Sequence, residues 1–401
     1  MRLNRALTEQ IRMERFEEIY GDYDADRLST EEAALVLGCS VRHFLRLRGR
    51  YESEGLAGLK DRRVGIKSKI CAADEEVKLI TQLYEQRYSG FSVRHFYEFA
   101  KAEHGLKRGY TWTRETLTNA GLVKPCKQGG KHRLRRPRRP MAGMMLHQDA
   151  SKHHWFGEEY SDLVMTMDDA TSEITSAFFR AEEGTHSSFR GIQETIEKKG
   201  LFCSFYTDRG SHYWYTPEAS GKVDKSHLTQ VNRALKQLGI EHIAAYSPEA
   251  RGRSERMFGT LQGRLVNELK LQGINTMEDA NRYLQDVYLP RHNAQFMVEP
   301  TVATSAFTPV AGFDIANILC IQEERIVASD NTVSYQGKKL QIPQSDYRHH
   351  FVKTQVRVHH YPNDTLALFH GPRKIGRYNK EGALQQHSET LSRQEEQKIA
   401  A

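Results

Sequence analysis

From residue 123 to 140 the chain carries eight lysines and arginines, no acid, and prolines at 125, 137 and 140. This stretch constrains the fold most. Proline locks φ and lacks an N–H, so no continuous helix can cross the stretch. A segment this charged and this poor in apolar residues cannot collapse, and stays extended unless an anion neutralises it. The 401 residues are therefore expected to form separate bodies on either side, and the length allows two to four domains. A net charge of +7 and a pI near 9.0 agree with a polyanionic partner without specifying one.

The N-terminal side reads as helical. Ile11, Met13, Phe16, Ile19 and Tyr20 fall at nearly helical spacing. Ser29-Thr30-Glu31-Glu32 is a capping box, opening a helix that stops at Gly38. Ser40 can then cap a helix over residues 41–48, and two short helices joined by a glycine turn form a helix-turn-helix. A second, similar pattern follows, with helices expected at 74–88, 92–104 and 110–117, the last ending at Gly121. The expected domains are thus a helix-turn-helix domain at 1–68, a second such domain at 69–122, and the basic linker at 123–140.

Beyond the linker, residues 141–300 alternate strand and helix. Strands are expected at 163–167, 173–179, 202–206 and 242–245, and helices at 187–199, 229–238 and 249–270. Residues 315–380 change to period two: 332–335 and 339–342 flank Gly337 as a hairpin, and 355–358 and 366–369 flank Asn363-Asp364. A small C-terminal β-barrel is the expectation there, followed by a polar tail at 385–401.

Several classes are excluded. No run of eighteen apolar residues exists, so no membrane span is expected. The start of the chain lacks the apolar stretch of a signal peptide. The five cysteines are far apart with no Cys-x-x-Cys pair, which argues against a zinc finger or disulfide framework and for a reducing, cytoplasmic location. His147, His153 and His154 have no nearby cysteine to complete a structural zinc site.

Three acids stand where α/β geometry would let them converge. Asp149 lies in the first expected strand of the third region, Asp208 just past a strand end, and Glu255 near the start of the long helix. Carboxylates suit in-line chemistry at phosphorus, which two divalent ions about 3.5–4 Å apart can serve. Mg²⁺ prefers hard oxygen ligands and retains several waters, so two or three carboxylates suffice. The rigid strand position of Asp149 fits a ligand shared by both ions, with Asp208 holding one and Glu255 the other. Asp168 and Asp169 also lie by a strand end, but read better as turn residues.

The third region resembles the retroviral-integrase-like DDE transposases. Residues 205–210 (through Thr207-Asp208-Arg209-Gly210) resemble the second-carboxylate motif. Tyr246-Ser247-Pro248 followed by Gly252, Glu255 and Arg256 resembles the third, and 164–171 the second strand and turn. Residues 148–156 and 260–269 resemble the ISNCY family of bacterial insertion-sequence transposases, and the likeness covers about 25–380. The 47-residue step from Asp208 to Glu255 exceeds the shorter spacing of the integrase prototype, with 211–228 as the extra loop. Ala150 stands where glycine is commoner. The resemblance implies a ribonuclease-H-like fold, two Mg²⁺ ions with Mn²⁺ as a substitute, and double-stranded DNA as partner, both transposon ends and target. It implies cleavage at terminal inverted repeats followed by strand transfer, and a homodimer or higher oligomer, since two ends are joined. The alternative is a domesticated, non-catalytic DNA-binding regulator. An RNA-directed nuclease would share the carboxylates without needing helix-turn-helix modules.

DNA contacts are expected from three places. Arg42, His43 and Arg46 open the second helix of the first motif, where such helices meet base edges. Thr113, Arg114 and Thr116 occupy the corresponding place in the second. Arg135, Arg136, Arg138 and Arg139 of the linker, and Arg251, Arg253 and Arg256 around Glu255, would meet phosphates.

Overall fold

The computed structural model describes residues 5–60, 72–124, 137–217, 221–246, 252–312, 314–345 and 348–385. Arg135, Arg136, Arg251 and the tail beyond residue 385 lie outside the described residues. The chain divides into two compact units, Met1–Lys78 and Leu79–Ala401.

In the first unit, α1 (Arg5–Asp24), α2 (Thr30–Val36) and α3 (Val41–Glu54) close over Phe16, Ile19, Ala33, Ala34 and Phe44. The capping box forms: Ser29 donates its N–H and hydroxyl to Glu32 Oε2, each at 2.8 Å, and accepts the Glu32 N–H. Ser40 caps α3 by accepting the His43 N–H. Between them Gly38 takes a φ of +65°, the left-handed turn that glycine adopts without strain.

The helices α4 (Asp74–Arg87), α5 (Val93–Glu103) and α6 (Tyr110–Asn119) pack on Tyr84, Tyr88, Phe96, Phe99 and Leu117. Domain boundaries are expected at 68/69 and at the linker. The observed division falls inside α4, because α5 is tied to the central region. Arg264 donates to Glu98, and Glu268, itself buried, accepts from His95 at 2.8 Å.

The central sheet comprises β1 (Leu146–His153), β2 (Ser161–Asp168), β3 (Ile174–Arg180), β4 (Ser204–Thr207) and β5 (Glu241–Ala244), in the order β3-β2-β1-β4-β5. The first three are antiparallel, while β4 joins β1, and β5 joins β4, in parallel. This is the ribonuclease-H-like arrangement. On one face α7 (Thr185–Lys199) and α8 (Gln230–Gln237) cover Leu146 and Phe205 with Phe189, Ile192, Val231 and Leu235. On the other, α9 (Gly252–Leu271), α10 (Met277–Tyr283) and α11 (Leu289–Phe296) cover Leu163, Met165 and Met167.

The C-terminal region corrects one expectation. It holds a four-stranded antiparallel sheet of β6 (Ile321–Ile326), β9 (Gln355–His360), β10 (Leu366–His370) and β11 (Arg373–Tyr378), ordered β11-β10-β9-β6. The hairpin β7 (Thr332–Tyr335) and β8 (Lys338–Gln341) pairs only with itself, so no closed barrel forms among the described residues. Its turn, Gln336-Gly337, has both φ values positive, the type I′ geometry that matches strand twist. The hairpin still shares a core with the sheet, through Val333, Tyr335, Leu340, Val358 and Leu368.

Candidate active site

The strand register decides how the acids stand. Leu146 pairs with Phe205 and His147 with Tyr206 in parallel. Carried two residues further, the same register sets Asp149 level with Asp208. Side chains alternate faces along a strand, so Asp149 shares the face of His147, and Asp208 that of Tyr206. The His147 and Tyr206 rings lie 5.0 Å apart, which shows that these faces are one. Asp149 is 8% exposed, and its Oδ1 accepts the Ala150 N–H. Asp208 Oδ1 accepts the Gly210 N–H at 2.9 Å.

The opposite face of the strands supports this pair. Gln148 donates to Thr166 Oγ1 and accepts from Tyr213 OH at 2.7 Å. Gly191 of α7 lets the helix approach, since a Cβ there would come within 2.2 Å of Gln148 Nε2. Burial, then the charges of Glu183, Asp208 and Asp149, push the Tyr213 hydroxyl well above its usual range, so it stays a neutral donor. Thr207, just before Asp208, meets His242 Nε2 at 3.0 Å and accepts from Trp214 Nε1.

The helix α9 lies along β1 and is tethered at two points. Arg253 pairs with Asp169, which also holds His147 at 2.8 Å. Gln262 donates to Ser151 at 3.0 Å. The rise from Arg253 to Gln262 is about 13–14 Å along the helix, and that from His147 to Ser151 is about 13–14 Å along the strand. Asp149 therefore lies between the tethers. Glu255 is two turns before Gln262, on the same side of α9. Glu255 is exposed. Among the described residues no group of three or more His, Cys, Asp or Glu side chains is gathered as a metal cage. Asp149 thus lies within β1, Asp208 just past the end of β4, and Glu255 in the first turns of α9, the helix packed along β1.

Asp168 and Asp169 divide their work. Asp168 closes the turn, accepting from the N–H groups of Ala170, Thr171 and Gly143. Asp169 joins strand, helix and linker. Burial alone would raise its pKa, but His147, the Arg139 N–H and Arg253 outweigh it and hold it well below the usual carboxylate range. The end of the linker is consequently docked rather than extended. Arg138 donates to the Asp169 and Ala170 carbonyls and to Ser172 Oγ, and Arg139 donates its N–H to Asp169 Oδ2 at 2.8 Å.

Of the expected DNA contacts, Arg42, His43, Arg46, Arg114 and Arg256 are exposed and Thr116 is half-buried. Thr113 is a correction. It is fully buried and its hydroxyl donates to the Gly109 carbonyl, so it presents nothing to a partner. It lies one turn before buried Leu117 and shares that face. His153 is half-buried and His154 exposed, the latter against the Tyr160 ring at 3.8 Å. The buried acid Glu268 and the half-buried His242 were not singled out from sequence. Each is defined by partners distant in the chain.

Residues 22–77 match the winged helix-turn helix family. The protein y4bF of Sinorhizobium fredii (strain NBRC 101917 / NGR234), a transposase by name, is 30% identical over 347 residues, 85% of this chain and 75% of its own length. The transposase for insertion sequence IS1202 of Streptococcus pneumoniae is 27% identical over 344 residues, 77% of this chain and 73% of its own length. Among solved structures, a simian T-cell lymphotropic virus intasome in complex with PP2A regulatory subunit B56 gamma overlays with a TM-score of 0.34 at 15% identity, covering 72% of this chain and 91% of that one. The HTLV-2 integrase catalytic core domain in complex with magnesium overlays with a TM-score of 0.27 at 15% identity, covering 37% and 89%. Overlays this loose carry no weight for ligands or assembly. No helix among the described residues is long and apolar enough to cross a membrane.

Proposed function

Because the chain belongs to the insertion-sequence transposases, we propose that it cuts DNA at the ends of its element and joins them to a target, using Asp149, Asp208 and Glu255. The observation that supports this reading is the parallel pairing of β1 with β4, Leu146 with Phe205 and His147 with Tyr206, which, continued two residues further, would bring Asp149 level with Asp208 in the middle of the sheet. The donor set fits a hard divalent cation in chemistry, being oxygen only. Asp149 and Asp208 would hold Mg²⁺ or Mn²⁺, and Glu255 would complete the set by turning in from α9. Two such ions, when bound, activate the attacking oxygen and stabilise the leaving one.

The chain's other residues bind and orient the DNA. Arg42, His43 and Arg46 on the exposed side of α3 would enter the major groove of a terminal repeat. Arg114 and Thr116 of α6 would add a second contact. Arg135, Arg136 and Arg139 of the linker, with Arg251 and Arg256, would follow phosphates. Cleavage frees a 3′-hydroxyl, which then attacks a target phosphodiester. Both steps are displacements at phosphorus, so no serine or tyrosine nucleophile is needed. Joining two ends requires at least two copies of the chain.

The test replaces each acid by its amide. Removing one carboxylate takes away several kcal/mol of transition-state stabilisation, more than about a hundredfold in rate. Asp149→Asn, Asp208→Asn and Glu255→Gln should each lose Mg²⁺-dependent cleavage of an end-containing duplex by at least that factor while keeping its binding. A variant that cuts at the parental rate would remove that residue from the site. A wild-type protein that binds ends but never cuts them would identify the regulator instead.

A further inference from the structure

Phe44 anchors one side of α3 in the core of the first unit, and the other side faces solvent. That outer side has two flanks. Val41 and Leu45, one turn apart, form an apolar flank and are 37% and 44% exposed. Arg42 and Arg46, also one turn apart, form a basic flank and are exposed. Gly49 lies between the two flanks, one turn further on. Nothing inside the unit requires a glycine there, since a Cβ would meet no atom within 4 Å. Glycine weakens a helix interior relative to alanine. Its bare backbone suits close approach from outside.

The dimensions of the apolar flank limit what can cover it. Arg48, Gly49 and Glu52 stand where it would continue, so it spans one helical turn, about 5.4 Å. A partner helix needs apolar anchors over two turns or more. Single exposed apolar residues are ordinary, but here two adjoin a basic flank at the start of a helix. From Val41 to Tyr51 the helix holds four arginines and no acid. Glu52, which follows, is turned to Arg48 at 2.9 Å and to the Tyr20 hydroxyl at 3.2 Å. In the DNA major groove thymine is the base that presents a methyl group, and neighbouring bases on a strand lie about 3.4 Å apart. Helices of this motif meet base edges with their N-terminal residues, and Val41 and Leu45 fall in the first two turns of α3.

We propose that Val41 and Leu45 select thymine, packing on the 5-methyl groups of adjacent base pairs in a terminal repeat, with Gly49 admitting the close approach of α3 to the groove. The inference rests on the DNA-processing reading above and adds which base the first unit chooses. Arg42 and Arg46 supply attraction to the duplex, and the methyl contacts discriminate among sequences.

The test measures the full chain's affinity for a duplex of its element's end and for the same duplex with deoxyuridine in place of every thymidine, which removes the methyl groups alone. Burying one such group is worth about fourfold in affinity, so wild type should prefer the thymidine duplex by about tenfold. The double variant Val41→Ala, Leu45→Ala should bind the two duplexes alike. Both side chains are exposed and alanine favours a helix, so this variant keeps its fold. Gly49→Ala, which strengthens the helix, should lose affinity and preference together. Equal affinities in the wild type, or a preference undiminished in either variant, would overturn the inference. Equal affinities accompanied by a self-association that the double variant abolishes would assign the flank to a second copy of the chain instead. Failure of the wild type to bind either duplex would overturn the DNA-processing reading itself.

Discussion

His242 stands behind Asp208, with Nδ1 2.6 Å from Asn232 Oδ1 and Nε2 3.0 Å from Thr207 Oγ1. Both partners are neutral, and Trp214 stacks on the ring at 4.0 Å. Burial, then the charges of Lys225 and His212, lower its pKa from 6.5 to about 3. Between those values the unfolded chain holds a proton that the folded chain does not. The stability that His242 confers is therefore complete above about pH 6.5 and is lost as pH falls toward 3, by at most about 1.4 kcal/mol per pH unit. His242→Gln keeps a hydrogen-bonding side chain and removes the titration. Its melting temperature should fall less steeply than the wild type's between pH 6.5 and 4.5, and equal slopes would show that His242 is not a source of the acid sensitivity. At this scale the sequence was legible where a residue's role is local. Asp149, Asp208 and Glu255 stand out because they lie, respectively, within a strand, just past a strand end and near a helix start. Thr113 is the exception: its phase with Leu117 is visible in the sequence, yet a polar residue near a helix start looks like a contact until burial is known. From sequence Asp169 reads only as a turn residue, because its partners, His147, Arg139 and Arg253, come from three separate segments.

The elements are held together by buried polar groups as well as by apolar ones. Glu268 of α9 is almost fully buried and meets His95 of α5, Tyr283 of α10 and Arg291 of α11. Removing Glu268 leaves His95 and Tyr283 without this hydrogen-bond partner and half-exposed Arg291 without its counter-ion, at a cost of about 1–3 kcal/mol. The pair Arg94–Glu98 is largely exposed and should contribute under about 1 kcal/mol. Glu268→Ala should consequently lower the denaturant midpoint strongly, and Arg94→Ala hardly at all. Matching losses from the two would mean that Glu268 is not the joint between α5 and the central region. No sequence pattern announces this joint, because His95 and Glu268 are 173 residues apart. Element boundaries were legible where capping chemistry is explicit, as at Ser29, Ser40 and Ser92, whose side chains each accept an N–H three residues on. The strands β6 and β11 escaped because their charged residues hide any alternation. The helices α10 and α11 escaped because a π-turn at Leu284–Tyr288 and Pro290 interrupt the periodicity between them.

For the whole molecule, order along the chain does not reveal order across the sheet. Strands β4 and β5 could have joined either edge, and only the crossover through α7 brings β4 beside β1 and Asp208 beside Asp149. The basic linker, by contrast, was conspicuous at once. With a net charge of +7, the chain would stand at −1 without the linker's eight cations. Affinity for DNA should then depend on this segment out of proportion to its length. Each phosphate neutralised on B-DNA contributes about 0.9 to the slope of log affinity against log salt. Four arginines converted to glutamine at 135, 136, 138 and 139 would remove about 3.6 if all met phosphate. Arg138, however, is engaged by two carbonyls and a hydroxyl of its own chain. The expected loss is nearer that of three contacts, about 2.7. The single change Arg138→Gln separates the two roles: it should leave the salt slope almost unchanged while lowering the melting temperature, because three acceptors lose their donor. A salt titration of duplex binding by wild type, the single and the quadruple variant reads both effects. An unaltered slope in the quadruple variant would reduce the segment to a tether, and the phosphate contacts would then have to come from the helices, through residues such as Arg42, Arg46, Arg114 and Arg256.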